Sequence, residues 1–315
     1  MNLLDVYDNV YDLPKQIRLE ACSTCQLDCP ACYMRRAYKD DSSHSLKKMG
    51  YLKFENFKKA VDDFQFSEIE LSNSGEIFLN PELDEIIEYG YKKGVKLSAY
   101  NGVNLNYLSD KTAENLVKYK FDNIRISIDG ASQETYSIYR RNGDFNKVID
   151  NIKKINRFKE KYNSQYPEIY YKFIVFGHNE HEMLKAKQLA EDLNTKIIFS
   201  PNYDPNYSPI VDKEMVKKIT GWPSTNEEDL LEIYHVVFCH QLWSCPQFDY
   251  DGELLGCCCN PFESFGGNLF EDGYFNAMNH PKVVNLRKLL LGLPIEQDFN
   301  FFCFNCRFLP FFTPY

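Results

Sequence analysis

Four cysteines, Cys22, Cys25, Cys29 and Cys32, crowd into the stretch "ACSTCQLDCPACY". Thiols this close can do three kinds of chemistry. Four thiolates can close a structural zinc site. Paired thiols can form a redox or disulfide cluster. They can also ligate an iron–sulfur cofactor. A second crowd follows much later, with Cys239, Cys245, Cys257, Cys258, Cys259, Cys303 and Cys306. The opening "MNLLDVYDNVYDLP" is acidic and lacks the basic start and apolar middle of a signal peptide. No apolar run suits a membrane span. These features point to the cytoplasm, where cysteines serve as metal ligands or reactive thiols rather than disulfides.

The elements that must position these thiols can be read from periodicity. "KQIRLEA" is a strand, and the first cysteines follow it directly. "EIELSN", "VKLSAYNG", "NIRISIDG", "EIYYKFIVFG" and "KIIFSP" read as further strands. Between them, "FENFKKAVDDF", "PELDEIIEYGYKKG", "SDKTAENLVKY", "FNKVIDNIKKINRFKEKY" and "EHEMLKAKQLAEDL" carry apolar residues at helical spacing. Strand–helix alternation implies a parallel sheet with helices outside. Ligand sites in such folds gather at the C-terminal ends of the strands. The first cysteine group lies at that end. Near "SPNYDPNYSPIVDKE" the composition turns to Pro, Asn and Tyr, a linker or excursion loop. The closing "FLPFFTPY" is expected to pack on the body.

The chain has 315 residues, 44% of them hydrophobic, enough for a large domain and a smaller one. Its net charge of -9 argues against a broad nucleic-acid footprint. No nucleic-acid or membrane partner is expected.

Cys25, Cys29 and Cys32 have the spacing C-x3-C-x2-C, and "CQLDCPAC" resembles the signature of the radical SAM superfamily. The resemblance continues in "SNSGEIFLNPEL", similar to the family's Gly-Glu-Pro region, with Ser74 and Ile77 standing where Gly and Pro are usual. It continues in "YNGVNL" and in "ISIDGASQETYSIYRR". It implies a partial (β/α)6 TIM-type barrel over residues 1–215, with a small C-terminal cysteine-rich α+β extension over 216–315. It also implies that Cys25, Cys29 and Cys32 bind a [4Fe–4S] cluster whose open iron takes S-adenosylmethionine. Ser74, Gly75, Glu76, Asn101, Ser127, Asp129, Arg140 and Arg141 would form the cofactor pocket. The bland readings are an ordinary Asn101–Gly102 turn, a strand end at Ser127 and Asp129, and a solvated arginine pair.

"CHQLWSCPQFDYDGELLGCCCN" resembles the opening of a SPASM or twitch-type extension. Cys239, Gly252 and Cys257 show C-x12-G-x4-C, "DYDGELLG" reads as a hairpin, and "FGGNLFEDG" and "CFNC" follow. The resemblance implies one auxiliary [4Fe–4S] cluster on Cys239, Cys257, Cys303 and Cys306. Zinc on the same four thiolates is the alternative, and the register among Cys257, Cys258 and Cys259 stays open. Cys245, Cys258 and Cys259 are candidate hydrogen-atom donors, or simply buried thiols. His240, Trp243 and Tyr250 flank the extension and could line the substrate cavity.

The family chemistry implies an electron from a flavodoxin- or ferredoxin-like donor, cleavage of S-adenosylmethionine, and abstraction of a hydrogen atom from the substrate. Oxidation, epimerisation or cross-linking can follow. Few residues precede the first strand, leaving no room there for a peptide-recognition domain. That favours a small polar, sugar-like substrate, with a ribosomally made peptide as the alternative. A zinc-stabilised binding protein is the remote alternative.

Overall fold

The computed structural model describes residues 12–32, 49–202, 204, 206–226, 229, 239–260, 263–295 and 302–306. The tail "FLPFFTPY" lies outside them. The described chain opens with β1 (Gln16–Leu19), then runs α1 (Phe54–Asp63), β2 (Glu68–Glu70), α2 (Leu83–Lys92), β3 (Lys96–Val103), α3 (Asp110–Lys118) and β4 (Asn123–Ser127). It continues with α4 (Gln133–Tyr139), α5 (Phe145–Tyr162), β5 (Glu168–Ile174), α6 (Met183–Asp192), β6 (Lys196–Ser200) and α7 (Lys213–Thr220). After these come α8 (Gln241–Ser244), β7 (Gln247–Phe248), β8 (Leu254–Gly256), α9 (Tyr274–Met278) and α10 (Pro281–Leu290).

Strands β1 to β6 pair in chain order and all in parallel, as a partial TIM-type barrel requires. β1 and β5 alternate in burial along their length, and β4 does so up to Ile126. Ile17, Leu19, Ile69, Leu97, Ile124, Ile126, Ile169, Tyr171 and Phe173 are buried in the main apolar core. Phe57, Ala60 and Val61 of α1, Ala113, Leu116 and Val117 of α3, and Val148, Ile152 and Ile155 of α5 enter the same core. Their spacing places them on one helix face. The other strand face carries Arg18, Glu70, Arg125 and Lys172.

Local chemistry sets the helix limits. Ser109, Ser132 and Asp144 each accept a hydrogen bond from the amide three residues on, capping α3, α4 and α5. Asn163, at φ 46°, closes α5 in the left-handed region.

The cysteine-rich end joins the barrel sheet. β7 runs parallel to β1, with Arg18 opposite Gln247, and β8 returns antiparallel to β7. The expected Asp-Gly hairpin is therefore present, with Gly252 at φ 90° in its turn. The apolar core continues without a break through Leu242, Phe248, Tyr274 and Leu286. Arg287, fully buried on α10, fastens this end: Nη1 donates to Met278 O at 2.7 Å and Nη2 to Leu242 O at 3.1 Å. Replacing it, Arg287→Leu, strands two buried carbonyls. The expected cost is about 2–4 kcal/mol, read as a lowered urea midpoint of the apoprotein. An unchanged midpoint would mean that water replaces the guanidinium.

Candidate active site

The loop after β1 has little regular structure, so its shape is set from outside. Ala21 N bonds Leu71 O, and Ser23 N bonds Gly50 O, both at 3.0 Å. A Cβ on Gly75 would lie 2.1 Å from Cys22 O and 2.6 Å from Thr24 O, so only glycine lets the β2 loop close on the cysteine loop. Glu76 N completes that closure on Thr24 O at 2.8 Å, and a short 3-10 turn follows at Ile77–Leu79. The substitutions Ser74 and Ile77 thus leave the turn intact.

Cys25, Cys29 and Cys32 come together here. Burial first, then Glu76 and the Cys29 and Cys32 thiols, push the Cys25 thiol up to about 12. Burial also raises Cys29, which Arg140 opposes and Cys32 reinforces. Cys22 stands aside, 1% exposed, with Sγ 3.0 Å from Thr24 Oγ1. Two donors reach the sulfurs: Asn104 Nδ2 at 3.5 Å from Cys25 Sγ and Arg140 Nη1 at 3.7 Å from Cys29 Sγ. Asp129, at φ 58°, holds Arg140 Nε at 2.6 Å through Oδ2 and the Ile174 amide at 2.6 Å through Oδ1. Leu27, Cys29, Tyr139 and Phe176 form a separate apolar cluster around the loop.

The remaining pocket candidates divide. Arg140 is half-buried and turned toward Cys29, whereas the Arg141 side chain is exposed and its carbonyl takes the Asp28 amide at 3.0 Å. Asn101 commits its side chain to Asn73 O at 3.0 Å. Ser127 is buried at the end of β4. Glu76 accepts from Asn104 N at 2.6 Å, and burial pushes its carboxyl up to about 7.

Three groups at this end lack full partnering. Glu76 Oε1 and His178 Nε2 are buried with no hydrogen-bond partner. Glu20 faces the Ser74 hydroxyl and the Ser74 and Gly75 amides loosely, without full hydrogen-bond geometry. The His178 ring stacks on Phe176 at 5.0 Å and its Nδ1 lies 2.8 Å from Ser208 Oγ. Unsatisfied polar groups beside three thiols fit a polar ligand on a thiolate-bound cofactor. Among the described residues, no three His, Cys, Asp or Glu side chains converge closely enough to hold a single metal ion.

The second group gathers beside β8. Burial first, then Cys257, Cys306 and Cys258, push Cys239 up to about 12. Cys303 is raised by burial and then by Cys257, Cys306 and Cys239. Cys257 is the member of the triplet whose charge acts on both of them. Cys258 also lies near Arg18, and its amide bonds Gln241 Oε1 at 2.9 Å. Hydrogen bonds to Cys257 and Cys258 raise the Cys259 thiol. Cys245 is pushed up to about 11, chiefly by burial, with Arg18 hydrogen-bonded to it. Trp243 is buried, while His240 and Tyr250 are half-buried.

Comparison with known proteins fits this geometry. The family model described as Radical SAM superfamily matches residues 19–190. A curated relative, the antilisterial bacteriocin subtilosin biosynthesis protein AlbA of Bacillus subtilis (strain 168), is 25% identical over 298 residues. That match covers 88% of this chain, which spans 62% of the relative's length. The crystal structure of Streptococcus suis SuiB bound to S-adenosylmethionine superposes with TM-score 0.64 at 13% identity, covering 95% of this chain and 72% of that one. SuiB bound to precursor peptide SuiA gives TM-score 0.62 at 13% identity, covering 96% and 71%. The chain belongs to the radical SAM superfamily, whose members use a [4Fe–4S] cluster and S-adenosylmethionine. Among the described residues no helix is long and apolar enough to cross a membrane.

Glu20 supplies a pH test. Burial first, then Asp249, raise its carboxyl from 4.5 to about 8. The folded state therefore holds this proton more tightly than the unfolded one. The stability it contributes is full below pH 4.5 and is lost as pH rises through about 8. Glu20→Gln removes that loss, so the apoprotein's melting temperature should fall less than wild type over this range. Parallel melting curves would refute the assignment.

Proposed function

We propose that this chain is a radical SAM enzyme that modifies a ribosomally made peptide, with one auxiliary [4Fe–4S] cluster. The observation that carries the reading is the extent of the likeness to AlbA. It covers 88% of the chain and so runs past the barrel into the cysteine-rich end. The precursor peptide bound to SuiB supports a peptide substrate for the same fold. Neither relative supports the sugar-like substrate that the sequence put first.

Cys25, Cys29 and Cys32 hold the first cluster, and Arg140, braced by Asp129, sets a positive charge against Cys29. Ser74, Gly75, Glu76, Asn101, Ser127 and Asp129 shape the pocket beside it, with Arg141 fixing the loop through its carbonyl. When bound, the cluster and S-adenosylmethionine supply a carbon radical able to take hydrogen from an unactivated C–H bond. The apolar shell of Leu27, Tyr139 and Phe176 keeps water from the site. Cys239, Cys257, Cys303 and Cys306 hold the auxiliary cluster, leaving Cys258 and Cys259 outside the ligand set. Electrons come from a flavodoxin- or ferredoxin-like protein.

Cys245 returns a hydrogen atom to the substrate: its S–H bond breaks as the new C–H bond forms, and the thiyl radical left behind takes one electron, ultimately from the flavodoxin- or ferredoxin-like protein, and a proton from solvent. Its raised pKa keeps the thiol protonated, so it has hydrogen to give, whereas Cys258 is lowered to about 7, first by the hydrogen bond from Cys259. The expected product in heavy water is a peptide one mass unit heavier with one inverted centre. Cys245→Ala should abolish that label while cleavage of S-adenosylmethionine continues. A product two units lighter in ordinary water, unaffected by Cys245→Ala, would replace hydrogen return by oxidation.

A second test separates the two clusters. Cys25, Cys29 and Cys32 changed together to Ala should retain about half of the wild-type iron and lose all cleavage of S-adenosylmethionine. Retention of full iron would reassign the first ligand set.

A further inference from the structure

The inner face of the barrel is charged, and its charges do not balance locally. At the lower rim they do: Lys15 reaches Glu68 at 3.0 Å, and Lys196 pairs with Glu168. One level up, register sets Arg18 opposite Glu70 and Arg125 opposite Tyr170, and above them Ser127 opposite Lys172. The carboxylate of this middle level, Glu70, is already saturated. Its oxygens accept from Ser72 N and Oγ, Ser98 Oγ, Tyr100 N and Asn101 N at 2.5–3.1 Å. None of Arg18, Arg125 and Lys172 forms an ion pair with a described carboxylate.

Arg125 and Lys172 share one wall of the barrel. The Arg125 guanidinium lies 3.2 Å from the Tyr100 ring centre, with the Tyr170 ring at 5.9 Å. Stacking uses the face of the guanidinium and leaves its in-plane donors for a ligand. Its Nε is buried without a partner. Lys172 Nζ donates to Asn101 O at 2.9 Å, one bond for a group with three N–H donors. Both cations are held where burial works against their charge. Both side chains are half-buried and lack an ion-pair partner among the described residues, so this wall suits an anion that arrives with a ligand.

We propose that Arg125 and Lys172 hold a carboxylate of the substrate inside the barrel. This rests on the peptide reading above and adds a rule to it: the reacting segment presents an acidic group next to the carbon that is attacked. A peptide can supply that group as an Asp or Glu side chain or as its terminal carboxylate. Arginine matches either by its planar fork.

The test is ligand-observed NMR titration of the anaerobically reconstituted holoenzyme with four probes. These are N-acetylglutamate N-methylamide, N-acetylglutamine N-methylamide, N-acetylglycine and inorganic phosphate. A side-chain source predicts the glutamate probe binding at least about tenfold tighter than its glutamine twin. A chain-terminal source predicts that N-acetylglycine takes that place. Arg125→Gln and Lys172→Gln should each weaken the bound carboxylate about tenfold or more. Equal binding of acid and amide, binding of phosphate alone, or indifference to both variants overturns the proposal. So does an equal loss of S-adenosylmethionine affinity in the variants, which would give these cations to the cofactor. The acid–amide comparison uses wild-type protein and does not depend on the variants folding. A wild-type holoenzyme that never cleaves S-adenosylmethionine sinks the function above while leaving this titration its own answer.

Discussion

The site depends on one constraint: the cysteine loop cannot shape itself. Between β1 and α1 its backbone is tied to the loops that leave β2, β3 and β4. Gly75 closes on the Cys22 and Thr24 carbonyls, Asn104 reaches Cys25, Arg140 reaches Cys29, and the Arg141 carbonyl takes the Asp28 amide. All four come from the same end of a parallel sheet. A parallel fold delivers its loops to one end, so a loop without regular structure can be held there by three neighbours at once. The chemistry of the thiols therefore rests on the register of strands that never touch them.

The two faces of those strands have opposite tasks. The outer face is ordinary aliphatic packing against helices and supplies the stability. The inner face accepts the expense of buried charge. Glu70 illustrates how: five donors surround one carboxylate and tie together the loops after β2 and β3. Arg18 then reaches from this face to Cys245 and Cys258, so the cysteine-rich end and the barrel interior meet on β1.

Much of this was legible in the sequence. The α5 limits followed from the apolar spacing of "FNKVIDNIKKINRFKEKY", and six strands could be read before the structure. Other features were not, for physical reasons. β7 is two residues long, too short for any period to register, yet it extends the barrel sheet beside β1. The Asn-Gly signal drew attention to Asn101, but the β3–β4 register shifts between Ala99 and Val103, and Asn104 is the residue that faces Cys25. Nothing in the sequence singles out Arg18, Glu70, Arg125 and Lys172, since polar residues alternating with apolar ones equally suit a solvated strand face. Only closure into a barrel turns that side into an interior. The register among Cys257, Cys258 and Cys259 depends on Cys239 and Cys303, far away in the chain, which no local spacing can place.

The central claim is that three thiols of the β1 loop leave one iron for S-adenosylmethionine. The most direct measurement is the electron paramagnetic resonance of the reduced, anaerobically reconstituted protein before and after that compound is added. The account predicts that the signal of one cluster shifts on addition while that of the other stays unchanged. A spectrum indifferent to S-adenosylmethionine would mean a site closed by protein ligands, and would contradict it.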